Sequence, residues 1–300
     1  MSDTRTSEQA AAARAGYRGR LAPSPTGYLH LGHARTFWVA SERARSRGGT
    51  LVLRDEDLDP RRARAELAAA MLEDLRWLGI TWQEGPDVGG PFAPYSQSGR
   101  RGFYLEAWAR LVARGLIYPC ACSRRDLARA AAAPHEGPHD PEDEPLYPGT
   151  CRPPAGAPPT SASRPAGLNW RFRVPDGEEI VFLDLRRGRQ SFVAGRDFGD
   201  FVVWRRDDVP AYQLAVVVDD ALMKITEVVR GEDLLKSAAR QMLLQRALSL
   251  ATPDYYHCRL VRGEAGARLA KRHDSLSLRA LRAAGITPEQ LRVRFARESE

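Results

Sequence analysis

Lysine is nearly missing from this sequence. Lys224, Lys236 and Lys271 are its three, and arginine supplies the rest of the 45 basic residues. Against 38 acidic residues this leaves a formal charge of +7, a balance that suits a polyanionic partner such as nucleic acid. Because the arginine bias runs through the whole chain, a single arginine carries little message and a lysine carries more. Long apolar runs are missing as well, so no segment reads as a membrane-spanning helix. The polar, alanine-rich stretch from Met1 to Ala15 lacks the apolar core of a signal peptide; it reads as a flexible N-terminus on a cytoplasmic protein. Cysteine is scarce too. Four are too few for a disulfide framework in 300 residues, and Cys120, Cys122 and Cys151 cluster while Cys258 stands apart. In a cytoplasmic chain such clustering points to metal binding.

What is present has an α/β rhythm. Tyr17 to Leu21 reads as a strand, Gly32 to Ser46 as a helix packed through Ala34, Phe37, Trp38 and Ser41, and Thr50 to Leu53 as a second strand. Asp59-Pro60 is expected to open a helix running through Leu78. Ser98 to Arg114 is another helix. This order predicts a parallel, doubly wound sheet. Residues 120–167 break the rhythm with the cysteines, an acidic proline-rich segment (Pro134 to Pro148) and a second proline run, and read as an inserted knuckle with an outer loop. Strands are expected at Trp170 to Val174, Glu179 to Leu185, Phe201 to Trp204, Ala215 to Asp219 and Ile225 to Arg230, and a helix at Ser237 to Ser249. No internal repeat is present.

Several constellations carry chemistry. His30-Leu31-Gly32-His33 follows the proline-stiffened run Ala22 to Leu29 where a helix begins. Helix-start N–H groups, a glycine and two imidazoles one turn apart suit nucleotide phosphates. Arg20, Glu56, Tyr212 and Arg230 fall at the ends or edges of expected strands, where ligands collect in an open parallel sheet. Two arginines could clamp the carboxylates of a small acidic ligand while a glutamate holds its ammonium; surface ion pairs are the other reading. Gly266 to Arg272 is a basic loop whose Lys271 could reach a leaving pyrophosphate, or simply a solvated charge run. Cys120, Cys122 and Cys151 are one ligand short of a closed zinc site, with His135, His139, Tyr147 or water as the fourth.

These segments resemble the class I aminoacyl-tRNA synthetases of glutamyl type. Gly19-Arg20-Leu21-Ala22-Pro23-Ser24-Pro25-Thr26-Gly27 through His33, Leu53 to Pro60, Tyr212 to Asp220 with Val229 to Leu235, and Arg268 to Arg272 look like the family's signatures in the family's order. The last is similar to its K-M-S-K-S motif, with Ala270 where serine is usual. Met223-Lys224 stands where a glycine-containing turn is common, and the insert between Cys122 and Tyr147 is long and acidic. About thirty residues follow Arg272, where full-length glutamyl synthetases carry a large helical anticodon-binding region. The resemblance is therefore to the short paralogues, the glutamyl-queuosine tRNA(Asp) synthetases.

That resemblance implies a Rossmann-like class I catalytic domain bearing a zinc-knuckle insertion, without a C-terminal anticodon-binding domain. The expected division is a flexible segment 1–16, catalytic halves at 17–116 and 197–257, an inserted subdomain at 117–196, and a K-M-S-K-S-like loop with a helical segment at 258–300. It implies one structural zinc on Cys120, Cys122, Tyr147 and Cys151. ATP with Mg would be bound through His30, Gly32, His33 and Lys271, of which His30, His33 and Lys271 are the candidate catalytic residues. L-glutamate would be held by Arg20, Leu21, Ala22, Pro23, Ser24, Glu56, Tyr212 and Arg230. The implied activity is tRNA-independent formation of glutamyl-adenylate, then transfer to queuosine in the anticodon loop of tRNA(Asp), by a monomer without membrane contact. A truncated synthetase charging a tRNA 3′ end and a non-catalytic tRNA-binding paralogue are the rival readings.

Overall fold

Strand β1 (Arg18–Leu21), helix α1 (Leu31–Ser46) and strand β2 (Thr50–Leu53) open the fold as a parallel β-α-β unit, with Arg18 opposite Thr50 and Leu21 opposite Leu53. The computed structural model describes residues 16–123, 126, 146–158, 160–165, 167–261 and 277–299. Both strands are almost wholly buried, which explains their continuous apolar character. The return from α1 to β2 passes through Gly48-Gly49. A Cβ on Gly49 would lie 2.5 Å from the Tyr17 carbonyl oxygen, so the turn closes only with glycine there.

Helix α2 (Ala65–Trp77) begins later than the sequence suggests. The Asp59 carbonyl accepts from Arg62 N at 3.0 Å and Ala63 N at 2.8 Å, and its Oδ1 from Arg61 N at 3.2 Å. Arg64 then turns to extended geometry, φ −134° and ψ 135°. Asp59-Pro60 thus closes a local turn instead of opening a helix, as short polar side chains that bond their own backbone tend to do.

Helix α3 (Arg101–Ala113) leads into β3 (Ile117–Cys120), which pairs antiparallel with β4 (Asn169–Phe172). Strands β5 (Glu179–Asp184) and β6 (Gly188–Val193) form a hairpin, and β7 (Phe201–Trp204) returns to the other side of β4. Helix α4 (Tyr212–Leu222) follows. It contains Ala215 to Asp219, which the β-branched run Val216-Val217-Val218 marks as a strand. The segment is buried from Leu214 to Asp220, and in such a fully buried apolar run periodicity does not separate helix from strand. Met223 and Lys224 then make the expected tight turn without glycine: Lys224 takes φ +56°, a left-handed conformation costing roughly 1–2 kcal/mol.

Strand β8 (Glu227–Gly231), helix α5 (Leu235–Leu248) and β9 (Asp254–Cys258) form a second parallel unit, with Arg230 opposite His257. Strand β8 runs beside β1, where Thr226 N donates to Arg18 O at 2.9 Å and Arg20 Nη1 to Val229 O at 2.8 Å. Strands β9 and β8 thus lie beside the β1-β2 pair as a parallel core, and β5 joins β9 at Asp184 opposite Tyr255. The doubly wound expectation holds for these strands; β3, β4 and β7 form a separate antiparallel sheet. That sheet packs on α3, α4 and α5 through Trp108 and Trp170, edge-on at 4.9 Å, and through stacked Phe172 and Phe201. Helices α6 (Leu278–Ala283) and α7 (Pro288–Ser299) close the other face, with Leu278, Leu291 and Phe295 in the core beside α1. Among the described residues no helix is long and apolar enough to cross a membrane.

Gly49→Ala is expected to lower the unfolding free energy by about 1–3 kcal/mol, the usual range for forced overpacking, as read from urea denaturation.

Candidate active site

The parallel strands end on one edge, and the site is built there. His30 caps α1 in extended geometry, its Nδ1 accepting from Gly32 N at 3.1 Å. Its ring proton therefore sits on Nε2. The His33 ring stacks on His30 with centroids 3.7 Å apart. Gly32 leaves room for this arrangement: a Cβ there would lie 3.1 Å from the His30 ring, which would have to shift by a few tenths of an ångström. Both imidazoles thus lie together at a helix start free of acidic residues in its first turn, a setting that favours an anionic ligand. Segment Leu21, Ala22, Pro23 and Ser24 leaves β1 in register with the chain after β2: Arg54 N donates to Leu21 O at 2.8 Å and Glu56 N to Pro23 O at 2.9 Å. Ser24 is exposed while Leu21 and Pro23 are buried.

Arg20, Glu56, Tyr212 and Arg230 come together at this edge. Burial pushes the Tyr212 phenol up, Arg230 and Arg20 pull it down and Glu56 pushes it up, so the hydroxyl shares one electrostatic neighbourhood with all three. Burial likewise raises the Glu56 carboxyl, opposed by Arg54 and Arg20. Arg20 and Arg230 are each 5 % exposed. Arg20 donates to a backbone carbonyl and stands 3.7 Å from Asp220. Arg230 donates to two uncharged acceptors, Nε to His257 Nε2 at 3.0 Å and Nη1 to Gln241 Oε1 at 2.8 Å. Arg20 Nε and Arg230 Nη2 are buried without a hydrogen-bond partner. Neither arginine is hydrogen-bonded to a carboxylate, which equips both to receive one.

Arg54 is the opposite case. Fully buried, it donates to Glu56 Oε1 at 3.0 Å and to Asp220 Oδ1 at 2.7 Å, and lies 3.8 Å from Asp219. Asp219 also accepts from Arg100 at 2.6 Å, Gln97 at 2.7 Å and Tyr104 at 2.9 Å. Sequence reading placed Arg54, Asp219 and Asp220 inside signature segments without assigning them a task, and it passed over Gln241 and His257 entirely. Charged residues flanking a buried apolar run were the signal for the first three. Lys271, the segment Gly266 to Arg272, residues 1–15, and the acidic stretch with His135 and His139 lie outside the described residues.

The knuckle brings its four expected donors together. The sulfurs of Cys120, Cys122 and Cys151 all lie within 4.8 Å of one another. The Tyr147 hydroxyl is 3.4 Å from Cys120 Sγ and 3.7 Å from Cys122 Sγ, and Cys122 and Cys151 are 3.6 Å apart. A tetrahedral zinc with ordinary bond lengths spaces its sulfurs roughly 3.8 Å apart and puts an oxygen roughly 3.5 Å from each, so these residues fit the ion. Arg171 supports the electron-rich forms, donating to Cys120 Sγ at 3.3 Å and lying over the Tyr147 ring at 3.9 Å. Burial raises the Cys151 thiol, but hydrogen bonds from Tyr147 and from the Ala121 backbone outweigh it and bring it down to about 7.

A family model described as tRNA synthetases class I (E and Q), catalytic domain, matches residues 17–298. The chain belongs to this family. The synthetase is 52% identical over 278 residues to the Glutamyl-Q tRNA(Asp) synthetase of Symbiobacterium thermophilum, covering 90% of this chain and 83% of that protein. It is 45% identical to Glutamate--tRNA ligase 2 of Nitrosococcus oceani over 91% of this chain and 57% of that one. Its structure matches the crystal structure of glutamate-tRNA synthetase from Elizabethkingia anophelis with a TM-score of 0.72 at 31% identity, over 86% of this chain and 53% of that chain. It spans about half the length of these last two proteins.

Arg54→Met leaves Glu56, Asp219 and Asp220 buried without their shared cation and is expected to destabilise the synthetase by about 3–5 kcal/mol, measured by chemical denaturation. The purified synthetase is expected to carry one zinc per chain by elemental analysis, and Cys151→Ser to lose most of it.

Proposed function

We propose that the synthetase activates L-glutamate with Mg-ATP in the absence of tRNA and transfers it to queuosine in the anticodon of tRNA(Asp). The observation that carries this reading is the pair of buried arginines, Arg20 and Arg230, standing without carboxylate hydrogen-bond partners beside Glu56 and Tyr212. A ligand with two carboxylates and an ammonium supplies what that pocket lacks. Glu56 takes the ammonium, and Arg20, Tyr212 and Arg230 take the carboxylates, with Leu21 to Ser24 forming the wall. A carboxylate oxygen of glutamate attacks the α-phosphorus of ATP and pyrophosphate leaves. His30 and His33, at the Gly32 helix start, and Lys271 stabilise the charge on the phosphoryl oxygens, and positioning supplies much of the rate.

In the second step a hydroxyl of the queuosine cyclopentene ring attacks the adenylate carbonyl, an ester bond forms and AMP leaves. The similarity to a Glutamyl-Q tRNA(Asp) synthetase over 83% of that protein's length supports this acceptor. The positive formal charge of the chain, +7, supports salt-dependent contacts to tRNA phosphates. Cys120, Cys122, Tyr147 and Cys151 hold zinc, which when bound cross-links the end of β3 to residues 147–151. A second reading, charging of a tRNA 3′ end, is favoured by the 45% identity to a glutamate--tRNA ligase.

Transfer of labelled glutamate separates the two. Label is expected on queuosine-containing tRNA(Asp) but not on the unmodified transcript. It should survive periodate oxidation of the 3′ end performed with the queuosine diol protected. Label lost with the 3′ end would establish the second reading.

A further inference from the structure

Arg230 reaches the pocket on a chain of buried groups that begins far along the sequence. Asp184, at the end of β5, His257, on β9, and Arg230, on β8, are 1 %, 0 % and 5 % exposed. Asp184 Oδ1 accepts from Arg186 N at 3.0 Å and Arg187 N at 2.8 Å, and its Oδ2 lies 2.6 Å from His257 Nδ1. The opposite ring nitrogen, Nε2, is 3.0 Å from Arg230 Nε. An arginine Nε always carries its proton, so Nε2 must present a lone pair and the single imidazole proton must sit on Nδ1. The carboxylate of Asp184 fixes that tautomer, as such partners of histidine do. Gln241 Oε1 takes Nη1 and is itself steadied by its own Nε2, which donates to Gln213 Oε1 at 2.9 Å. With Nε and Nη1 both committed, the planar guanidinium cannot turn, and Nη2 is left buried without a partner.

We infer that His257, with its tautomer set by Asp184, is a positioning residue that orients Arg230 so that Nη2 is presented to a carboxylate of the bound amino acid. The inference rests on the reading of the Arg230 pocket as a glutamate site. An uncharged imidazole suits this task because it fixes the guanidinium without neutralising it. A carboxylate at the same place would compete with the substrate for the same cation.

Glutamate-dependent pyrophosphate–ATP exchange by the full chain tests this. His257→Leu and the isosteric Asp184→Asn are expected to raise the KM for glutamate about 10–100-fold, the range of one hydrogen bond to a charged group. The KM for ATP should stay within about twofold. Asp184→Asn acts because an amide N–H facing Nδ1 drives the ring proton to Nε2, against Arg230. His257→Gln, which offers Arg230 an oxygen acceptor, should recover most of the affinity. Equal movement of both KM values, or movement of neither in folded variants, would overturn the inference. Should the variants fail to fold, nitrogen-15 NMR of the unaltered chain decides: a proton on Nδ1 alone supports the arrangement, and a proton on Nε2 refutes it. Failure of the glutamate reading shows separately, as absence of glutamate-dependent exchange in the unaltered chain.

Discussion

The buried guanidinium of Arg54 is the constraint on which the rest of the site depends. It leaves β2, meets Glu56 two residues later, and reaches across to Asp219 and Asp220 on α4. Asp219 in turn ties in Arg100 and Tyr104 at the start of α3. Burying ions in this way is costly unless each is paired and hydrogen-bonded with good geometry. The cluster therefore allows little freedom in how α3, α4 and β2 meet. Setting α4 also sets Tyr212, its first residue, seven positions and about two turns before Asp219 and so on the same face.

Around this saturated cluster stand two arginines with a different role. Arg20 and Arg230 are as buried as their neighbours, but their hydrogen bonds go to uncharged acceptors, a carbonyl for one and an imidazole and an amide for the other, with Asp220 standing 3.7 Å from Arg20. In a medium of low dielectric a cation without a hydrogen-bonded counter-ion, as Arg230 is, is a strong attractant for an anion. The fold thus gives the buried carboxylates of this cluster hydrogen bonds from Arg54 and Arg100 and leaves Arg20 and Arg230 without a carboxylate hydrogen bond. At the same edge, His30 and His33 sit over a helix start, where the backbone adds its own partial positive charge.

Much of this was legible from residue order. Arg20, Glu56 and Arg230 could be grouped because each lies in or just after a parallel strand; Tyr212 was joined to them as the edge of an expected strand that is instead the start of helix α4. His30, Gly32 and His33 were visible because a glycine between histidines at a helix start is a local pattern with a local cause. The helix of α4 was not legible: the run around Val216 to Val218 favours a strand by propensity, and burial on every side overrides it. Nor was the turn at Asp59, where side-chain and backbone bonds made by one aspartate outweigh the helix-starting tendency of the following proline. Asp184 and His257 belong to no motif, and they meet only because β5 and β9 pair in parallel at their ends.

By itself the sequence determined the local chemistry: the first parallel unit, the histidine-flanked glycine at a helix start, the thiol cluster with its tyrosine, and the family whose signatures it carries. These follow from interactions among residues close in the chain, or from patterns that repeat in it. Strand β9, which completes the second unit, was not legible. Only the tertiary structure decided which charges neutralise one another and which keep no carboxylate hydrogen bond. An arginine's role depends on partners far along the chain, 166 positions away for Arg54 and Asp220, and an arginine-rich sequence cannot say which of its guanidinium groups will find a carboxylate.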